Sequence, residues 1–148
     1  MAYSGTPSYS AVPSSQYSSW IMRVGAYLVD TVPIWAALIV VYIIEAIIGS
    51  TIVDILLGLI LFVAILGYTV YNRWILGGQG QTIGKKMLGI KLVSEETGQP
   101  IGSMNAFIRD ICHIVDSIIC YIGFLFPLWD AKRQTIADKI MKTVVTPA

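Results

Sequence analysis

Residues 24–48 read VGAYLVDTVPIWAALIVVYIIEAII, an apolar run charged only at Asp30 and Glu45. At about 1.5 Å of rise per residue the run covers roughly 37 Å, more than a hydrocarbon core of about 30 Å. It predicts a spanning helix. Gly49-Ser50-Thr51 makes a tight connection, and Ile52 to Trp74 supplies a second run whose charges, Asp54 and Arg73, sit near its ends. The expected core is a transmembrane helical hairpin with spans at about 24–48 and 52–74.

Composition agrees with the hairpin. Of 148 residues, 55% are apolar and 13% charged, and mean hydropathy is +0.71, whereas a soluble domain carries about 25% charged residues. This chain cannot coat a globule with the charge it has. A formal net charge of +1 gives no field that concentrates nucleic acid, so no nucleic-acid partner is expected. Cys112 and Cys120 lie in an apolar stretch without CxxC spacing, which argues against a disulfide framework and a metal site. No metal and no cofactor are expected. No catalytic Ser/His/Asp or Cys/His set is recoverable either, and the expectation is a protein that is not an enzyme.

Outward from the hairpin, residues 1–19 carry seven Ser, three Tyr and two Pro with no charge and no periodicity. They read as a disordered tail without the basic start, apolar core and cleavage site of a secretory signal. Residues 20–146 form the membrane domain. Within it the Gly-rich stretch 77–105 holds Lys85, Lys86 and Lys91 and predicts a short amphipathic piece at the headgroups. A small hairpin turning near Gly98 follows. Residues 106–129 form a third hydrophobic region, interrupted by Arg109, Asp110, His113 and Asp116 and later by Gly123 and Pro127. Thr135-x-x-Asp138 marks a capped start for an interfacial helix over 135–143.

Topology follows from the cations. Loop 77–105 and the segment with Lys132, Arg133, Lys139 and Lys142 both belong in the cytoplasm under the positive-inside rule. A single crossing between them would strand one group outside. The favoured architecture is therefore an all-α membrane protein in which the third region dips in and returns, as re-entrant or amphipathic helices, with both termini cytoplasmic. Three full spans are the alternative.

Arg23 and Asp30 are seven residues apart, so they share a helix face with Asp30 about 10 Å deeper. A carboxylate at that depth faces a partner or a wet cavity. Two readings are open: a structural ion pair that pins the first helix to the third region, or a titratable site for a proton or monovalent cation. Pro33 should bend the helix beside it. Arg109, His113 and Asp116 follow i, i+4, i+7 spacing and form a polar stripe at the right depth to meet Arg23 and Asp30. His113 can relay protons near pH 6.5, or it simply faces headgroups. Two motifs are set aside. Gly84-Lys85-Lys86 lacks the Gly and the Ser or Thr of a phosphate loop, and Gly80-x-x-x-Gly84 has helix-packing spacing outside the apolar runs.

The Arg opening the first helix, the Asp within it, the loop GQTIGKKMLGIKLV and the close LWDAKRQTIADKI together resemble the RDD family of small bacterial membrane proteins. The family is named for an arginine and two aspartates. Arg23 and Asp30 match the first two letters and Asp138 the last; many relatives carry His before that Asp, where this chain has Ala137. The resemblance implies a bacterial plasma-membrane protein that transports a small ligand or exchanges a cation for a proton. Asp30 would then alternate between the two ions while Arg23 or Arg109 occupies its carboxylate when empty. Two spans are few for alternating access, which implies a homo-oligomer. The other class is a non-transporting scaffold or accessory subunit that binds a membrane-protein partner. The lipid bilayer is a partner in both.

Overall fold

The computed structural model describes residues 16–148 other than Cys120, so the expectation of a disordered tail at residues 1–15 lies outside the described residues. Helix α1 spans Trp20–Ile48 and begins at Trp20 rather than Val24, because Ser19 caps it and accepts from the Met22 N–H. Tyr17 and Ser18 are buried, and the Ser18 N–H donates to the Val145 carbonyl at 2.8 Å. These residues, expected in the tail, belong to the fold. Gly49, at φ 60°, ends α1 in the left-handed region.

Helix α2, Thr51–Thr69, returns antiparallel and loosens into a π-helical turn over Val70–Leu76. Helix α3 (Ile83–Met87) and strand β1 (Ile90–Ser94) follow. Helix α4 (Ser103–Ile118), helix α5 (Ile122–Leu125) and a 3₁₀ turn at Phe126–Leu128 make up the third hydrophobic region. The chain closes with helix α6 (Ile136–Met141) and strand β2 (Thr143–Pro147). Two helices, Trp20–Ile48 and Thr51–Leu76, are long and apolar enough to cross a bilayer. The third region reaches that length only across a bend of 106°.

The expected hairpin at Gly98 is corrected. The chain does turn there, with Gly98 at φ 69°, but β1 pairs antiparallel with β2 at the far end of the sequence, Leu92 opposite Val145 and Val93 opposite Val144. The stretch after Gly98 contains Pro100, which lacks an N–H for a ladder, whereas Thr143-Val144-Val145-Thr146 is β-branched throughout. For the same reason α6 stops at Met141 instead of running to 143, with Lys142 left-handed at φ 50°.

That pairing fixes the third region. Strand β1 precedes it and β2 follows it, so a chain that joins the two in one sheet returns to the side it left. The bend and the sheet together are consistent with the favoured reading, in which α4 and α5 dip in and return. Side-chain alternation puts Ile90, Leu92 and Val145 on the sheet face that covers Ala26 of α1, and Val93 and Val144 on the opposite face against Tyr17. The buried core therefore lies in the layer at one end of the hairpin. The spans themselves keep their apolar side chains exposed, from Val32 and Trp35 to Ile47.

Candidate functional site

All ten Lys and Arg side chains belong to that end: Arg23 near the start of α1, Arg73 in the π-helical turn after α2, the others in the segments that follow. Asp138 is the centre of the layer. It is the third residue of α6, and Thr135 closes a capping box with it, accepting from the Asp138 N–H while the Thr135 N–H donates to Oδ2. The sequence expectation for this cap and its position matches the structure. The Asp138 carboxylate is fully buried. Arg109 donates to Oδ1 through Nε at 2.8 Å and Nη2 at 2.6 Å, Thr143 Oγ1 to Oδ1 at 3.0 Å, and Arg23 Nη1 to Oδ2 at 2.9 Å. Burial alone would raise the Asp138 pKa, but the guanidiniums of Arg109 and Arg23 outweigh it and hold the carboxyl well below the usual range. No lone pair is left for a substrate or a proton.

Asp30 is held differently. Neither Arg23 nor Arg109 contacts it, which corrects the expectation that one of them occupies its carboxylate. Arg23 reaches toward α6, and Asp30, two turns further along α1, is clasped by α3 instead. Its Oδ1 accepts from Asn72 Nδ2 at 2.8 Å and the Gly84 N–H at 2.7 Å, and its Oδ2 from Thr82 Oγ1 at 2.6 Å. Tyr68 Oη donates to the Asp30 carbonyl at 2.9 Å. Asn72 is fully buried and spends its own Oδ1 on the Ile83 N–H, so one side chain ties α1, the π-helical turn and α3 together. π-helical turns of this kind recur at functional sites.

The polar stripe splits as well. Arg109 goes to Asp138, while Asp116, also fully buried, binds His113 Nδ1 at 2.7 Å and caps α6 through the Ile136 and Ala137 N–H groups. His113 stacks on Phe124, ring centres 5.3 Å apart, with its side chain 15% exposed. Gly123 sits so close to Asp116 that a Cβ there would lie 2.1 Å from Oδ1. Sequence reasoning missed two further pieces. Arg73 and Asp110 form a two-pronged pair, both bonds 2.8 Å, with the Trp74 indole as a third donor at 3.1 Å. Lys85, on α3, is partly buried, and desolvation and the nearby Arg109 push its ammonium down to about 7 against the pull of Asp138 and Asp30. Opposite charges at the same depth, Arg73 and Asp110, were the available signal for the first.

No group of His, Cys, Asp and Glu placed to hold a metal occurs among the described residues. The arrangement is suited to holding α1, α3, α4 and α6 in one geometry. Asp30 keeps a carboxylate whose hydrogen-bond partners are all neutral donors.

Comparison with known proteins follows the same residues. The RDD family model matches residues 17–142, a range that contains Arg23, Asp30 and Asp138. A proline-rich antigen homolog of Mycobacterium tuberculosis is 40% identical, with the match covering 92% of this chain and 65% of that protein. The proline-rich antigen of Mycobacterium leprae is 38% identical, covering 95% and 65%. The chain thus spans just under two thirds of the curated relatives it matches. No solved structure matches it.

Proposed function

The chain belongs to the RDD family, and we propose that it is a multi-pass, non-catalytic module of the bacterial plasma membrane, a scaffold or accessory subunit that presents its charge-locked layer to a membrane-protein partner. One observation carries this reading. Between Asp30 and Glu45 on the first span, and between Asp54 and Arg73 on the second, there is no Asp, Glu, Lys, Arg or His. At about 1.5 Å per residue that leaves roughly 21 Å of apolar wall on the first span and roughly 27 Å on the second, where carriers place their substrate and coupling-ion sites. Apart from Glu45 and Asp54 beside the turn between the spans, the charged side chains sit at one end, where Arg23, Arg73, Arg109, Asp110, Asp116 and Asp138 are committed to holding the fold.

Transport of a small ligand or cation/proton exchange is the second reading. Asp30 favours it, as a partly exposed carboxylate without a cationic partner in contact, and it requires an assembly of several copies to supply a path. Purified protein in liposomes with an entrapped pH dye, challenged with Na⁺, K⁺ and Li⁺ gradients, separates the two. A flat response is expected. A cation-driven pH change that disappears in Asp30→Asn would overturn the scaffold reading in favour of exchange.

The positive-inside rule supports a cytoplasmic location for the cation-rich end and for both termini, since Ser18 and Val145 are hydrogen-bonded neighbours. Single cysteines at Gly98 and Thr146, in a chain without Cys112 and Cys120, should both resist an impermeant maleimide in intact spheroplasts and both react after permeabilisation. Labelling of the Thr146 position alone in intact spheroplasts would contradict the dip.

A further inference from the structure

A groove of about 260 Å³ opens between the start of α1 and the 3₁₀ turn, lined by Ser19, Trp20, Ile21, Pro127, Leu128 and Arg133. Its two walls are tied together, because the Trp20 indole donates to the Phe124 carbonyl at 2.9 Å. The floor is apolar and open, with Ile21 71% and Leu128 58% exposed. Its polar rim is Arg133.

The charge at that rim is unusual for its segment. Lys132 binds Glu95, Lys139 binds Asp130 and Lys142 binds Glu96, but Arg133 has no carboxylate partner among the described residues. Its recorded hydrogen bond is to a neutral acceptor, the Tyr17 carbonyl, at 3.3 Å. A guanidinium has five N–H donors in a fork that fits phosphate oxygens. The first turn of α1 likewise carries no acidic residue to meet the positive end of its dipole. A cation beside an apolar channel, at the depth where a span enters the bilayer, has the chemistry of an anionic phospholipid: phosphate and headgroup at Arg133, acyl chain along Ile21 and Leu128.

We propose that this groove is a binding site for one anionic phospholipid of the leaflet on the cation-rich side. Tryptophans frame it, Trp20 as wall and Trp129 as the 60% exposed neighbour of Leu128, as interfacial aromatics do.

The test uses the full chain in detergent, with bound lipid counted by native mass spectrometry over titrations of phosphatidylglycerol, phosphatidylcholine and glycerol 3-phosphate. Wild type should take up one phosphatidylglycerol in preference to phosphatidylcholine, and glycerol 3-phosphate should not compete at equal concentration. Arg133→Gln should weaken phosphatidylglycerol about five- to tenfold, the size expected for one Arg at an anionic surface, and Lys86→Gln should not. Leu128→Trp, which fills the channel while leaving Arg133 in place, should also abolish the preferred lipid. Because Leu128 is exposed, that variant decides the matter if Arg133→Gln fails to fold. Unchanged binding in Leu128→Trp or in a folded Arg133→Gln would overturn the site. Equal uptake of phosphatidylcholine, or full competition by glycerol 3-phosphate, would overturn the anionic-lipid assignment.

Discussion

Asp138→Asn should lower the stability of the folded chain by about 3–5 kcal/mol, the usual cost of removing one partner from a buried ionic group. In a thermal aggregation assay in detergent that is a fall of roughly 10 °C for a chain of this size. The substitution strands two guanidiniums, Arg23 and Arg109, each only 13% exposed. Asp30→Asn should cost far less, about 1–2 kcal/mol, because the donors on Asp30 are neutral and Thr82 Oγ1 can turn from donor to acceptor. Adding Arg109→Gln to Asp138→Asn should recover part of the loss; strictly additive losses would sink the ion-pair account. The pH dependence follows from the sign of the shift. A carboxyl whose folded pKa lies below its unfolded value of 3.8 contributes stability above that value and loses it only as pH falls through the folded one. The Asp138→Asn deficit should therefore be nearly the same at pH 8 and pH 5. A deficit that vanishes at pH 5 would mean Asp138 titrates as a working group.

What was legible in the sequence, and what was not, divides along the range of the interactions. The spans follow from local hydropathy and the α6 cap from a local pattern, Thr135-x-x-Asp138. Counting cations favoured a third region that returns, and the pairing of β1 with β2 agrees with it. The partners of Asp30 and Asp138 did not follow, because face-sharing on α1 says which residues point the same way and not what waits there. Arg23 and Asp30 do share a face, yet about 10 Å of helix rise separates them, and each meets a different element. Asn72 gave little sign of its role, since a π-helical turn has no sequence signature that distinguishes Tyr71-Asn72-Arg73 from an ordinary helix end. Strand β2 was hidden for a similar reason: its pairing with β1 spans half a hundred residues, and a helix read through Thr143 used up its first position.

These misses share a physical cause that bears on function. Charges that are buried away from water are expensive to leave unpaired, so the fold gathers Arg23, Arg109, Asp116 and Asp138 from distant segments into one layer. The layer carries Arg23–Asp138–Arg109, Arg73–Asp110 and the Asp30 clasp, while the middle of each span carries no Asp, Glu, Lys, Arg or His. A residue such as Asp138 can then be indispensable without being an active centre, and its loss would mimic loss of function through misfolding.

Gly84→Ala tests how tightly this layer is closed. A Cβ on Gly84 would lie 2.0 Å from the Ala26 carbonyl oxygen, 2.8 Å from its carbon and 3.0 Å from Asp30 Cγ, and a backbone carbonyl inside α1 cannot step aside as a side chain would. Helix α3 would have to back away, taking with it the Gly84 N–H and Thr82 hydroxyl that clasp Asp30. Overpacking of this kind costs about 1–3 kcal/mol and sometimes more; with two charge-assisted bonds also at stake, about 3 kcal/mol or above is expected. The same substitution provides its own control. Gly58 and Gly67, in α2, have nothing within 4 Å of an added Cβ, and alanine is the better helix former by up to about 1 kcal/mol. Gly58→Ala and Gly67→Ala should leave the aggregation temperature unchanged or raise it, while Gly84→Ala lowers it by about as much as Asp138→Asn. Gly84 sits in a helix and not at a positive φ, so a loss there reports the contact with α1 and not backbone strain. A neutral Gly84→Ala would mean that α3 does not pack against Ala26, and the Asp30 clasp would fall with it.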